Sequence, residues 1–427
     1  MRILHLCYDH PDNPWCGGGG AGRTWQVNRL LAARHDITVC CGAFPGAGPR
    51  GEPFRVRVLG RARRYVESRL AYIFHSRRLD LRPYDLVVEE FSYYAPVFAR
   101  FAGRPVVTIL QGRHGMDALR ARGVYGLVSL VSEYLLLPRR RAVIIDSPHL
   151  AGALHPAART AVIGLGTDPP PDLPPRGEDQ VLFVGRLDVW HKGIDTLIAA
   201  WAGLDGAARR WPLVLVGGGD AAAVAELVRR HGAADVILRG RVDHADVLRA
   251  MRRAAFVVMP SRMEGFGLVA AEALAAGAPA IVSAIPSLAA IVPHGEAGLQ
   301  VPPADPAALC RAMGRLATDD ALRRRLAAGA ARIGVRFSWR EIAAAQEVFY
   351  REVLTARRQA SRTRARAKTS AHTGERGGSP RRRRARAISR WVRRLCRSLR
   401  PPAAWPTTRT PRAKRAGRWR SSPSSRS

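Results

Sequence analysis

The stretch Ser261-Arg262-Met263-Glu264-Gly265-Phe266-Gly267-Leu268-Val269-Ala270-Ala271-Glu272 decides how the rest of the chain is read. It leaves an apolar run at 255–259, turns through two glycines, and enters an Ala-rich segment that stops at Gly277. Strand, glycine turn and helix in that order predict one unit of a parallel α/β sheet. A helix start offers unpaired backbone N–H groups and a partial positive charge, which together seat a phosphate. Two carboxylates flank this seat. Glu264 lies in the loop, and Glu272 sits early in the helix, where side chains lean back toward the N-terminus. Backbone donors beside two acceptor carboxylates suit a ligand with both phosphates and hydroxyls, and a nucleotide sugar is such a ligand.

Working outward, the segments 181–184, 213–216, 236–238 and 280–283 read as buried strands, and Ile194, Leu197, Ile198 and Trp201 fall at i, i+3, i+4 and i+7 of a helix. Residues 181–336 therefore read as a Rossmann-like domain. Ligands of such sheets bind beyond the carboxyl ends of the strands, so Gly185-Arg186, Gly217-Gly218-Gly219 and the turn from Glu264 to Gly267 are expected on one side. Residues 1–167 repeat the pattern, with strands at 1–8, 36–41, 54–59, 86–88, 106–110 and 143–145 between helical segments. The expected fold class is α/β, with two doubly wound parallel sheets facing a cleft. A linker at 168–180, five of whose first eleven residues are proline, separates them, and a closing helix is expected at 337–355. From 356 to 427 the composition is rich in Arg, Ser, Ala and Pro, and disorder is expected.

The net charge of +35 is concentrated. Residues 356–427 hold 24 lysines and arginines against one acid, Glu375, so +23 lies there and +12 remains for the body. Within that tail Ile388, Trp391, Val392, Leu395 and Leu399 have amphipathic spacing, which reads equally as a membrane-surface anchor and as sequence of a shifted frame without a role. A second basic segment, bounded by Arg61 and Arg82, carries Val66, Leu70, Ile73 and Phe74 on one face. That stripe reads as the core side of a surface helix, with contact to an anionic membrane as its alternative. Nucleic-acid binding is disfavoured, because electrostatics alone gives no sequence preference. No early run has a signal-peptide layout and no stretch is long and apolar enough to span a bilayer, so a cytoplasmic location is expected, with peripheral attachment to the inner membrane face as the variant. Six cysteines without a CxxC pair argue against zinc and against a disulfide framework.

Gly17 to Gly22 formally match GxGxxG. The glycines begin about eight residues past the strand, and the next strand ends in Cys40-Cys41-Gly42 with no acid for a ribose, so a nicotinamide enzyme is not favoured. Gly185-Arg186 and Lys192-Gly193 place two cations after a strand, where they would stabilise a departing diphosphate more in the transition state than in the ground state.

Together, Gly185-Arg186, Lys192-Gly193, Glu264-Gly265-Phe266-Gly267 and Glu272 resemble the donor site of the large family of retaining glycosyltransferases that includes glycogen synthases and bacterial mannosyltransferases, the group 1 enzymes of the GT-B fold. The resemblance covers residues 1 to about 355. It implies that Glu272 holds the ribose hydroxyls, that Glu264 lies by the donor sugar, and that the backbone of Gly265, Phe266, Gly267 and Leu268 touches sugar and phosphate. By the same resemblance Arg186 and Lys192 neutralise the diphosphate and His114 stands near the reacting sugar, while Gly217 and Gly218 are expected to line the donor site from their place at a strand's carboxyl end. Gly18, Gly19 and Gly20 would belong to a mobile loop that closes on acceptor and phosphate. One departure is Gly164-Leu165-Gly166-Thr167-Asp168, where members commonly carry Asn-Gly-Val-Asp. With no Asp-x-Asp in the chain, no metal and no further cofactor are expected, and the resemblance implies front-face transfer with retention to an acceptor the sequence does not name. Rival readings are an epimerase or phosphorylase on the same fold, and a non-catalytic membrane or nucleic-acid adaptor acting through the tail.

Overall fold

The structure, a computed structural model, describes residues 1–15, 19–49, 51–91, 103–112, 124–169 and 173–373. The chain divides into two compact units, Met1–Ser361 and Arg362–Ser427. The first contains two parallel sheets. One has seven strands, β1 (Arg2–Leu6), β2 (Asp36–Gly42), β3 (Arg55–Leu59), β4 (Leu86–Glu90), β5 (Val106–Leu110), β6 (Ala142–Ile145) and β7 (Arg159–Val162), in the order β3-β2-β1-β4-β5-β6-β7. The other has six, β8 (Gln180–Val184), β9 (Leu213–Val216), β10 (Val236–Gly240), β11 (Ala254–Met259), β12 (Ala280–Ser283) and β13 (Gly298–Val301), in the order β10-β9-β8-β11-β12-β13. Both orders are those of doubly wound sheets. Central strands such as β8 and β11 are runs of Val, Leu, Phe and Ala with almost every residue buried, as required where helices cover both faces.

Helices α1 (Gly19–Leu31), α2 (Tyr65–Ser76) and α3 (Val124–Leu136) accompany the first sheet. Around the second stand α4 (Ile194–Ala202), α5 (Ala221–His231), α6 (His244–Arg253), α7 (Leu268–Ala275), α8 (Pro286–Ile291), α9 (Pro306–Thr318) and α10 (Asp320–Gly334). Ile194, Leu197, Ile198 and Trp201 on α4 are completely buried. Each such side chain stabilises the fold by about 1.5–3 kcal/mol relative to exposure.

The last helix, α11 (Trp339–Thr373), lays Ile342, Ala343, Phe349 and Tyr350 into the core of the first sheet. It runs past residue 355, where disorder was expected to begin. The added turns are dominated by Ala, Arg, Lys and Gln, all strong helix formers, and contain no Gly or Pro before Gly374. The amphipathic spacing from Ile388 to Leu399 lies outside the described residues.

The slack sequence entering the linker has a steric reason. A Cβ on Gly164 would lie 2.3 Å from the Phe266 ring, and one on Gly166 2.6 Å from the Trp339 ring. Thr167 N–H donates to the Phe337 carbonyl at 2.7 Å, and Asp168 Oδ1 accepts from Trp339 N–H at 3.0 Å, satisfying one of the free donors that open α11. Only residues without side chains fit where the linker passes between two aromatic rings.

The stripe on α2 corrects an expectation. Val66, Leu70 and Phe74 are exposed, at 43%, 63% and 53%, while Ile73 of the same stripe packs against the core, and the buried face is Ser68, Arg69, Tyr72 and Ser76. Small residues explain the inversion. Ser68 and Ala71 let the helix settle on Gly42 and Gly60, while the Arg69 guanidinium covers the Tyr8 and Tyr65 rings at 4.8 and 4.3 Å.

Candidate functional site

In the second sheet β8 and β11 are neighbours, yet the chain leaves β8 toward β9 and leaves β11 toward β12. The divergence opens a crevice at their carboxyl ends. Both motifs singled out in the sequence follow these two strands. Gly217, after β9, presses on the first turn so closely that a Cβ would lie 1.8 Å from the Gly185 carbonyl oxygen. Gly193 starts α4 at φ +64°, and a Cβ there would lie 2.1 Å from the Pro260 oxygen, so a side chain would push the two turns apart.

Across this junction Lys192 Nζ donates to Glu264 Oε1 at 2.6 Å. Ser261 Oγ donates to the same oxygen at 2.8 Å, and Ser287 Oγ donates to the Glu264 carbonyl at 3.1 Å. The loop is anchored from behind by Arg262, whose guanidinium donates to both oxygens of Asp195 at 2.8 Å and to the Trp190 carbonyl at 2.8 Å. Burial pushes the Asp195 carboxyl up, but this guanidinium together with backbone N–H donors at Thr196 and Asp195 more than offsets it and leaves the group below the usual carboxylate range.

Gly267 caps α7 at φ +97°, with Leu268 as the first helical residue and Gly265 open to solvent. Glu272, on the same helix, is 4% exposed, and burial pushes its carboxyl up to about 7. His244 Nε2, at the start of α6, stands 3.7 Å from it. Arg186 takes a different direction from Lys192. Its exposed guanidinium is 3.8 Å from Asp188 and lines a groove of about 690 Å³ with Gly219 and Asp220. Gly218 lies under Arg241, whose Nε would be 2.5 Å from a Cβ there.

The structure thus gathers Gly185, Lys192, Gly217 and Glu264 at one junction, with Arg186, Gly218 and Glu272 on elements that leave it. Phe266 turns toward Gly164 and toward Phe337, at 6.4 Å between ring centroids, and lines a cavity of about 450 Å³ with Asp146 and Ser147 from the first sheet. Gly18 and His114 lie outside the described residues, and Gly19 and Gly20 form the first turn of α1 instead of a loop. Ala21 on that turn is buried, and a Cβ on Gly20 would lie 2.4 Å from Gln111 Oε1, so the helix starts where it can pack. Ser261, Ser287, Arg241 and the pair Arg262–Asp195 had no assigned role in the sequence reading. A polar residue beside Glu264 was the available signal for Ser261 and Arg262.

The first sheet has the same divergence, between β1 and β4. There Glu90 accepts from Thr24 and, at 2.8 Å, from Gln111, and His5 Nε2 is 3.4 Å away. Asn28 Nδ2 lies 2.8 Å from His5 Nδ1. Arg23, fully buried, donates to Gln346 Oε1 at 2.8 Å and to the Gly164 carbonyl at 3.1 Å. Burial lowers the Arg23 pKa, while for Glu90 the surrounding His5, Arg23 and Thr24 outweigh burial and hold the carboxyl low.

Residues 178–319, which span β8 to α9, match the family described as glycosyl transferases group 1. The chain carries a glycosyl transferases group 1 domain. Over 212 residues it is 38% identical to the D-inositol 3-phosphate glycosyltransferase of Xylanimonas cellulosilytica, covering 48% of each chain. It is 35% identical over 185 residues to the glycogen synthase of Mycobacterium tuberculosis, covering 42% of this chain and 43% of that one. The chain thus spans about half the length of the curated relatives it matches. Among solved structures, the sucrose-phosphate synthase of Thermosynechococcus elongatus superposes with a TM-score of 0.65 at 25% identity, covering 83% of this chain and all of that one. The Anabaena HepE protein in complex with UDP superposes with a TM-score of 0.64 at 22% identity and the same coverage. The two-sheet architecture is therefore that of GT-B glycosyltransferases, with the group 1 domain as its second half.

Proposed function

We propose that the chain transfers a sugar from a nucleoside diphosphate sugar to an acceptor hydroxyl, with retention and without a metal. The observation that carries this reading is the Lys192–Glu264 contact at the β8/β11 crevice, on the same loop and helix as the buried Glu272. A ligand whose diphosphate sits at the start of α7 would meet Lys192 and the Gly265 to Leu268 backbone, and its ribose hydroxyls would meet Glu272. Arg186 adds a second cation from the turn after β8.

In the proposed step the bond from the sugar C1 to the diphosphate oxygen breaks while the acceptor oxygen bonds C1 from the same face. The acceptor proton passes to the departing phosphate oxygen. Lys192 and Arg186 carry the charge that develops there, which is where fixed cations lower a barrier most. Glu264 already holds Lys192 and Ser261 through one oxygen, which supports a positioning role over that of a covalent nucleophile.

A thermal-shift panel of nucleoside diphosphate sugars on the full chain tests the reading, because the bound nucleotide raises the melting temperature by mass action. Glu272→Ala is expected to weaken the stabilising nucleotide by about 1.5–3 kcal/mol, the worth of a hydrogen bond to a charged group. No stabilisation by any nucleotide sugar, or an undiminished response in the variant, overturns the site. Consumption of the nucleotide sugar without acceptor would instead mark an epimerase.

Among the described residues no helix is long and apolar enough to cross a membrane. The exposed Val66, Leu70 and Phe74, flanked by exposed Arg61, Arg63, Arg64, Arg77 and Arg78, support seating this face of α2 on an anionic lipid surface. Cosedimentation with phosphatidylglycerol vesicles should drop in Leu70→Ser/Phe74→Ser, and equal binding of that variant rejects the seat.

A further inference from the structure

At the opposite end of the first sheet from the crevice, where β5, β6 and β7 begin, a cavity of about 380 Å³ opens between the strand starts and α11. Six arginines line it: Arg104, Arg139, Arg140, Arg141, Arg159 and Arg357. Its apolar lining comes from Val106 and Ala142 of the sheet and Val353 of α11. No acidic residue is among those lining it.

The arginines' partners determine what charge remains. Arg140 donates to Glu89 at 2.6 Å, a carboxylate 1% exposed that also accepts from Thr108. Arg159 meets Glu352 at 3.3 Å. Among the described residues, Arg104, Arg139 and Arg141 meet neutral acceptors. Arg104 Nη2 donates to the Arg82 carbonyl at 2.9 Å, Arg139 to the Leu135 carbonyl, and Arg141 Nη1 lies 2.7 Å from His155 Nδ1. A carbonyl satisfies an N–H but does not cancel a charge. Among the described residues two carboxylates therefore answer six arginines that line one concave space, where a shared positive potential accumulates. A guanidinium presents donors in a fork that fits phosphate oxygens in pairs, and several forks around one cavity fit an anion with several oxygens.

We propose that this cavity is a second binding site, distinct from the crevice, for a ligand bearing a phosphate or diphosphate group. Its ligand would bridge the segments leading into β5 and β6, through Arg104 and Arg139, to α11, through Arg357. The chemistry is the same whether the phosphate belongs to a soluble metabolite or to a lipid headgroup.

The test uses the full chain carrying Arg186→Ala/Lys192→Ala, so that the turns after β8 contribute nothing, in about 0.15 M salt, where charges more than about 8 Å apart are screened. Calorimetric titration with pyrophosphate is expected to show one saturable site. Adding Arg139→Ala/Arg357→Ala, both at exposed positions, should weaken it at least about tenfold, the loss expected from removing charged hydrogen bonds. Cosedimentation with phosphatidylglycerol vesicles forms the second arm. Loss in both arms supports the site with a lipid headgroup as its ligand, and loss with pyrophosphate alone supports it with a soluble one. No saturable heat, or an affinity for pyrophosphate unchanged by Arg139→Ala/Arg357→Ala, overturns the proposal.

Discussion

The two sheets present the same topological feature and finish it differently. At the β1/β4 divergence the chain fills its own crevice: His5, Thr24, Asn28 and Arg23 are all within 1% of complete burial, and Glu90 has three neighbours from three segments. At the β8/β11 divergence the turns are glycines, the Arg186 side chain is 70% exposed, and Lys192 and Glu264 face each other across an accessible junction. A crevice filled by its own side chains contributes rigidity, whereas one lined by backbone and a single ion pair leaves donors and acceptors for a ligand. Substitutions in the first should therefore register as lost stability, and substitutions in the second as lost binding or turnover.

The largest expected effect follows from Arg23. Arg23→Met keeps the bulk but removes the positive charge that helps hold the largely enclosed Glu90 ionised, and strips the Gln346 and Gly164 contacts that tie α1 to α11 and to the segment before the linker. Removing one member of a buried charge network costs about 3 kcal/mol or more. Urea unfolding reads this directly, and Glu90→Gln in the Arg23→Met background should recover part of the loss. A stable Arg23→Met chain with full nucleotide binding fits the comparison poorly, since the first crevice would then not be closed by charge.

These two crevices were unequally legible in the sequence. The second was visible because its residues follow two strands in short motifs, and adjacency of β8 and β11 follows from the regular alternation of strand and helix. Arg23 was not visible, because its partners lie 141 and 323 residues away and no local pattern encodes them. Gly164 and Gly166 looked like a departure for the same reason, their need for small size being set by Phe266 and Trp339. On α2 the apolar spacing placed only Ile73 correctly and Val66, Leu70 and Phe74 on the wrong side, since periodicity reports which residues share a side but not which side meets the sheet. There the decision fell to Ser68 and Ala71, whose small size permits close approach to Gly42 and Gly60.

A smaller effect separates binding from chemistry within the second crevice. If Lys192 acts on the departing diphosphate, Lys192→Ala should lower kcat by about a hundredfold while KM changes little, the pattern of an interaction made in the transition state. Its folding stability should change little, because both partners of the pair keep partial solvent access, at 20% and 12%. Steady-state kinetics at saturating donor measure the split. An increase in KM alone, with kcat intact, would reassign Lys192 to uniform donor binding.

The smallest expected effect is the most diagnostic, because it has opposite signs for folding and for binding. Glu272 ordinarily would titrate near 4.5, and burial pushes it up to about 7. A carboxyl raised in the folded state contributes stability that is fully present below the unfolded value and is lost as pH rises through about 7. The ligand-free protein should accordingly lose this contribution between about pH 5 and pH 8. Ribose hydroxyls donate best to the ionised carboxylate, so nucleotide affinity should instead rise across the same window, by about tenfold from pH 6 to pH 8 if only the ionised form binds. Calorimetry should also show a proton released on binding at pH 6 and almost none at pH 8. Glu272→Gln removes the titration and should flatten both profiles. Were the affinity of the parent chain independent of pH while the stability profile kept its slope, Glu272 would be a buried acid of the fold and the ribose would have to be held elsewhere on the crevice, with His244, 3.7 Å from Glu272, the first residue to test.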